Sequence, residues 1–181
     1  ARHLALISRG GASGDDVKQA RTVMQSQGVQ VMVEAVDVAD AAQVRRFWQR
    51  LQAAMPPVRG VIHGAMVLDD GLLTSLTAER FRQVMAPKIL GALHLHEVTA
   101  ETPLDFFVML SSVASLAGNP GQGNYAAANA FLDGFAHYRR ALGLPALTIN
   151  WGALAEVGVV ARNSPLEELL AASDYVSLHA P

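Results

Sequence analysis

Apolar positions along this chain fall into short runs separated by longer amphipathic stretches. Leu4 to Ser8 is an apolar strand ending at Arg9, followed by a loop from Gly10 to Gly14. Asp15 to Gln27 has helical spacing, with Val17, Ala20, Val23 and Met24 on one side and Gly28 suited to its C-terminal end. Val29 to Val36 reads as a strand closed by Asp37-Val38. Ala41 to Met55 reads as an amphipathic helix bearing Val44, Phe47, Trp48 and Leu51, stopped by Pro56-Pro57. Val58 to Ile62 is a strand that leads into His63-Gly64-Ala65-Met66. Thr77 caps a helix running towards Glu101, in which Pro87 predicts a kink or a restart. Phe106 to Leu110 is a buried strand, an Ala-rich helix opens around Tyr125, and Ala146 to Trp151 is the last clear strand. Strands alternating with helices predict an α/β fold with a parallel sheet wrapped on both faces.

The strand from Phe106 runs straight into Ser111 and Ser112, then into a loop rich in Gly and Pro. Tyr125 and Asn129 are four residues apart, so they share one helix face. Strand end, loop and helix face together place a hydroxyl, a phenol and an amide around one point. That point lies at the carboxyl edge of a parallel sheet, where open α/β folds bind ligands. Taken singly, each residue has an ordinary explanation. A tyrosine near a helix start is usually a packing residue, and serines after a strand usually cap or turn.

Composition narrows the classes. The chain has 181 residues, enough for one domain with a sizeable core, and is 51% hydrophobic and 17% charged. A net charge of −2 gives no basic surface for nucleic acid or anionic membrane. No apolar stretch is long enough to span a bilayer, and the N-terminus lacks a signal-peptide layout. The absence of cysteine excludes disulfides and thiolate metal sites and fits a cytoplasmic protein. Six scattered histidines give no metal-ligand spacing.

Ser112, Tyr125 thirteen residues later and Asn129 four after that resemble the active-site set of the ketoreductase domains of modular type I polyketide synthases. These belong to the short-chain dehydrogenase/reductase superfamily. Lys88, in Met85-Ala86-Pro87-Lys88-Ile89-Leu90-Gly91-Ala92-Leu93-His94-Leu95, matches the remaining catalytic lysine. Most of the superfamily places that lysine four residues after the tyrosine, whereas these ketoreductases carry asparagine there and lysine on the preceding helix. This chain has the exchanged arrangement, with no lysine from Ala126 to Asn129, which argues against a free-standing dehydrogenase. The resemblance runs from Leu4 to about Val160 and implies a Rossmann-like, doubly wound parallel sheet. The whole chain is then the catalytic part of such a domain, with a lid or C-terminal region at about 161–181.

The resemblance also implies a cofactor, NADPH. Arg9 is where these reductases bind the 2′-phosphate, a role a guanidinium suits with paired donors and a permanent charge. Asp37 and Val38 correspond to the pair that contacts the adenine, and His63, Gly64 and Ala65 fill the loop under the cofactor. Family members commonly have alanine in place of Gly64 and glycine in place of Met66. His63 reads as a packed histidine rather than a general base. A dinucleotide fold opens with a strand, a Gly-rich turn and a helix that holds the pyrophosphate. Gly10-Gly11-Ala12-Ser13-Gly14 follows what should be the second strand and is not that turn. The chain is therefore expected to be a piece of a larger polypeptide that lacks the first βα unit and binds cofactor poorly alone.

Residue chemistry supplies the expected mechanism. Reducing a ketone adds hydride to carbon and leaves an incipient alkoxide that needs a proton. Tyr125 is the expected donor, and Lys88 its electrostatic tuner, because a nearby ammonium favours phenolate. Ser112 hydrogen-bonds the carbonyl oxygen, and Asn129 orients Lys88 through water. The substrate is a β-ketoacyl thioester on an acyl carrier protein, and further partners are other domains of the same synthase. The alternative is a non-catalytic structural or interaction piece of such a megasynthase. Leu68-Asp69-Asp70 matches the motif of ketoreductases that give a D-configured 3-hydroxyl. Pro120 and Asn124 agree with that class, and Ala117 stands where the opposite class carries tryptophan. As bare chemistry, two adjacent aspartates before a helix would be a solvated loop or cap.

Overall fold

The alternation of apolar runs and amphipathic stretches becomes five strands and five α-helices over residues 1–152, which this computed structural model describes. The C-terminal region expected at about 161–181 lies outside the described residues. In chain order the elements are β1 (His3–Ser8), α1 (Asp15–Ser26), β2 (Gln30–Ala35), α2 (Ala41–Ala54), β3 (Gly60–His63) and α3 (Ala78–Thr99). Then come β4 (Phe106–Ser112), the single-turn α4 (Ala114–Ala117), α5 (Gly123–Ala141) and β5 (Leu147–Trp151). Each expected strand and helix is present, with ends shifted by one or two residues.

Local chemistry explains several boundaries. Asp40 caps α2 by accepting from the backbone N–H groups of Ala42 and Gln43, and Thr77 caps α3 by accepting from that of Arg80. Gly28, at φ 79°, supplies the left-handed turn that ends α1. Pro87 does not restart α3, which runs unbroken through it. The buried stripe of Val84, Lys88, Gly91, Ala92 and Leu95 spans the proline, so packing holds the two halves as one helix. Gly91 must be small: a Cβ there would lie 2.8 Å from His63 and 2.9 Å from Val38.

All strand pairings are parallel, but the sheet is in two parts, β1-β2 and β3-β4-β5. Val36 joins Phe107 and Met109 of β4 in a core with Val44, Phe47 and Leu51 of α2, Ala92 and Leu95 of α3, and Leu132, Phe135 and Ala136 of α5. The opposite face of β3-β4-β5 is not wrapped among the described residues. It leaves Ile62 67% exposed and Phe106 46% exposed, with Leu147 and Trp151 also open. The expected full burial of the Phe106 strand therefore holds on one face only. Alternation sends Phe107, Met109 and Ser111 into the core and Phe106, Val108, Leu110 and Ser112 to the other side.

Candidate active site

The end of β4 and the start of α5 meet where the sequence analysis put them. Lys88 is 2% exposed, and its ammonium donates to the carbonyl of Leu110 at 2.9 Å. It lies 5.5 Å from the centroid of the Tyr125 ring. Burial pulls the Lys88 amine down to about 8, a fall that the field of Asp133 partly opposes. Asn129 is fully buried; its amide donates back to the Tyr125 carbonyl at 2.8 Å. Its Oδ1 is buried and takes no hydrogen bond from the described protein, Lys88 included. The Ser112 hydroxyl oxygen accepts from the Ala114 backbone N–H at 3.2 Å. The structure thus brings Lys88, Tyr125 and Asn129 together, with Ser112 two residues beyond the carbonyl that Lys88 grips.

Beside this group lies a cleft of about 690 Å³, lined at the carboxyl ends of β1, β2 and β3 by Arg9, Asp37, Val38, Gly64 and Ala65 among others. All five were expected at a cofactor. Arg9 is exposed and makes no ion pair among the described residues, so its guanidinium is free for an anion. One Asp37 oxygen accepts from the Ala39 N–H at 2.9 Å, and Val38 is buried, its carbonyl 2.9 Å from His94 Nδ1. Met66, the bulky departure from the family form, also lines the cleft. His63 does not. It is 3% exposed, with Nε2 3.1 Å from the Lys88 carbonyl, and burial holds its imidazole down at about 4. It is a neutral packing residue beneath the cleft, not part of the wall. The free Arg9 guanidinium on the cleft wall suits an anionic ligand.

The Leu68-Asp69-Asp70 segment, with Asp70 exposed and Leu68 and Asp69 half-buried, is held by side chains rather than acting as a cap. Arg80 grips the Asp69 carboxylate with two nitrogens, at 2.7 and 2.6 Å, and the Asp70 carbonyl at 2.8 Å. That pairing holds the Asp69 carboxyl below the usual carboxylate range. Asp70 Oδ2 accepts from Gln122 at 2.8 Å, and the Gly71 N–H donates to the Gly121 carbonyl at 2.8 Å. Asn124, fully buried, donates to the Asp69 carbonyl at 2.9 Å and accepts from the Tyr125 backbone N–H at 2.8 Å. The loop is therefore tied directly to the residue next to Tyr125. Pro120 and Ala117 are both exposed, Ala117 as the last residue of α4.

Arg80, Gln122, Ser115, Asp133 and Asn150 were not singled out from sequence. A signal existed for Asp133, a lone carboxylate eight residues past Tyr125 on the same helix face. Among the described residues no cluster of acidic and histidine side chains is arranged to hold a metal, and no helix is long and apolar enough to cross a membrane.

A parallel α/β sheet with a buried lysine, a tyrosine and an asparagine at its carboxyl edge is the arrangement that resemblance to the ketoreductases of the short-chain dehydrogenase/reductase kind implies. The KR domain family model matches residues 1–156, and the chain belongs to that family. It is 44% identical over 168 residues to the phenolphthiocerol synthesis polyketide synthase type I Pks15/1 of Mycobacterium marinum, covering 93% of this chain and 8% of that protein. It is 42% identical over 181 residues to the lovastatin diketide synthase lovF of Aspergillus terreus, covering 99% of this chain and 7% of that one. Among solved structures, A-type ketoreductases from a modular polyketide synthase match with TM-score 0.87 and 39% identity, over 94% of this chain and 36% of that one. The ketoreductase from the first module of phoslactomycin biosynthesis in Streptomyces sp. HK803 matches with TM-score 0.88 and 34% identity, over 94% and 39%. The chain thus spans less than a tenth of these two synthases and under two-fifths of these ketoreductase chains.

Proposed function

We propose that this chain carries the catalytic residues of an NADPH-dependent β-ketoacyl reductase acting on a thioester held by an acyl carrier protein within a polyketide synthase. The observation that carries the reading is the buried Lys88 ammonium against the Tyr125 ring, one residue past Pro87 on the wall of the cleft that Arg9 also lines. Arg9 would hold the 2′-phosphate, Asp37 and Val38 the adenine, and Gly64 and Ala65 the floor. When bound, the cofactor supplies the hydride to the carbonyl carbon. Ser112 donates a hydrogen bond to the carbonyl oxygen, whose charge grows as the bond order falls. Tyr125 delivers the proton to that oxygen, and the Lys88 ammonium favours the phenolate left behind.

The product we infer is the D-3-hydroxyacyl thioester. Asp69 and Asp70 are held by Arg80 and Gln122, and Asn124 links them to Tyr125, so loop shape is coupled to the proton donor. Ala117 leaves open the place where the opposite class carries tryptophan. A non-catalytic role for this segment taken alone is a second reading, favoured by the division of the sheet into two parts. Incubating the ketoreductase-bearing synthase with a β-ketoacyl thioester and NADPH, then resolving the product by chiral chromatography, tests both statements. No reduction refutes the catalytic reading, and a predominantly L product refutes the stereochemical one.

A further inference from the structure

The face of α5 that carries Tyr125 continues through Asn129 to Asp133 in steps of four residues. Asp133 Oδ2 accepts from the Ser115 hydroxyl at 2.6 Å and from the Asn150 amide at 3.0 Å. Both donors also hold the end of β4. The Ser115 hydroxyl lies 2.8 Å from the Ser112 carbonyl, and the Asn150 amide lies 3.3 Å from that carbonyl and 3.3 Å from the Ser111 hydroxyl. A further contact of 2.9 Å joins Asn150 to Ser115. One hydroxyl proton and two amide protons thus serve a set of acceptors in which the only carboxylate is Asp133. It is the strongest acceptor there and sets the direction of the others.

The second oxygen of Asp133 is buried and takes no hydrogen bond from the described protein. A half-satisfied buried carboxylate is costly for stability alone. Its field has a target, however. The titratable groups that face Lys88 are His63 on β3 and Tyr125 and Asp133 on α5. Buried His63 is neutral, so Asp133 is the group among them that favours the ammonium.

We propose that Asp133 is a positioning residue of this site: it anchors the strand end bearing Ser112 to the helix bearing Tyr125, and its charge balances the Lys88 ammonium. The proposal rests on reading Ser112, Lys88 and Tyr125 as the catalytic group. Asp133 touches no reacting atom in this scheme. It acts through Ser115 and Asn150 on one side and through its field on the other.

The chain has only two lysines, Lys18 and Lys88, and Lys18 is an exposed partner of Asp15. Carbon-13 labelling of the lysine side chains therefore reads Lys88 by NMR without any turnover. Asp133→Asn keeps an acceptor for Ser115 while removing the charge, and Asp133→Ser does the same with less bulk should the amide fail to fold. Either variant is expected to move the Lys88 titration measurably lower. Ser115→Ala is expected to leave it in place. In the ketoreductase-bearing synthase, Asp133→Asn should move the alkaline limb of the kcat profile down by the same amount. Ser115→Ala should lower kcat several-fold with that limb unmoved. An unchanged Lys88 titration in the Asp133 variants overturns the charge role, and unchanged kcat in Ser115→Ala overturns the anchoring role. Because the NMR arm needs no catalysis, a failure of the catalytic reading shows separately, as turnover that survives in Tyr125→Phe.

Discussion

Replacing Lys88 by methionine should make the folded chain more stable at pH 7. The side chain is 2% exposed, and burial lowers its amine from 10.5 to about 8. At about 1.4 kcal/mol per pKa unit, keeping the ammonium in the folded state costs roughly 3 kcal/mol relative to a neutral side chain. Methionine fills a similar volume without charge. Against that gain, the Leu110 carbonyl loses its donor, a loss of about 1–2 kcal/mol, and Asp133 loses an opposite charge. The net expectation is a variant about 1–2 kcal/mol more stable, or roughly 2–8 °C in Tm for a chain of this size. The sign with pH follows from proton counting. Between about 8 and 10.5 the unfolded chain keeps the lysine protonated while the folded chain has released it. The unfolded state then binds more protons, so this group makes wild-type stability rise with pH across that window. The methionine variant lacks that contribution, and its advantage should shrink as pH rises from 8. Urea denaturation of both proteins from pH 7 to 10 measures the difference. A variant no more stable than wild type at pH 7, with a constant difference across the series, would refute the reasoning.

Two further outcomes are expected. Arg9→Ala should weaken NADPH binding much more than NADH binding in the ketoreductase-bearing synthase, by roughly 1.5–3 kcal/mol for a charge-assisted phosphate contact; calorimetry with both nucleotides decides, and equal losses would make Arg9 merely structural. Arg80→Ala releases Asp69 and the Asp70 carbonyl, so the product's enantiomeric excess should fall while kcat changes less; chiral chromatography reads it, and unchanged stereochemistry would show that the clasp does not set the loop.

Periodicity made the strands and helices legible because each buries one face. It did not distinguish a strand covered on one side from one covered on both, so Phe106 was read as an interior position. Pro87 was a local signal outweighed by the continuous buried stripe from Val84 to Leu95. The four-residue spacing of Tyr125 and Asn129 was readable directly, whereas Lys88 and Arg9 were placed only by resemblance to the family. His63 was correctly read as packed, but its place beneath the cleft rather than on its wall depends on how Gly91 and Lys88 of α3 cross β3. Asp133, Ser115 and Asn150 stayed hidden because their contact joins two helices and a strand up to 35 residues apart in sequence. Arg80 stayed hidden because its guanidinium reaches back eleven residues to Asp69.

Tyr125→Phe tests the central claim most directly, since it removes one hydroxyl and keeps the ring against Lys88. Turnover of a β-ketoacyl thioester by the ketoreductase-bearing synthase is followed at the NADPH absorbance, and NADPH binding is measured by calorimetry on the same sample. The account predicts a loss of kcat of about 100-fold or more, the range for a general acid, with NADPH affinity within about twofold of wild type, a change of roughly 0.4 kcal/mol. Near-normal turnover in that variant would contradict it.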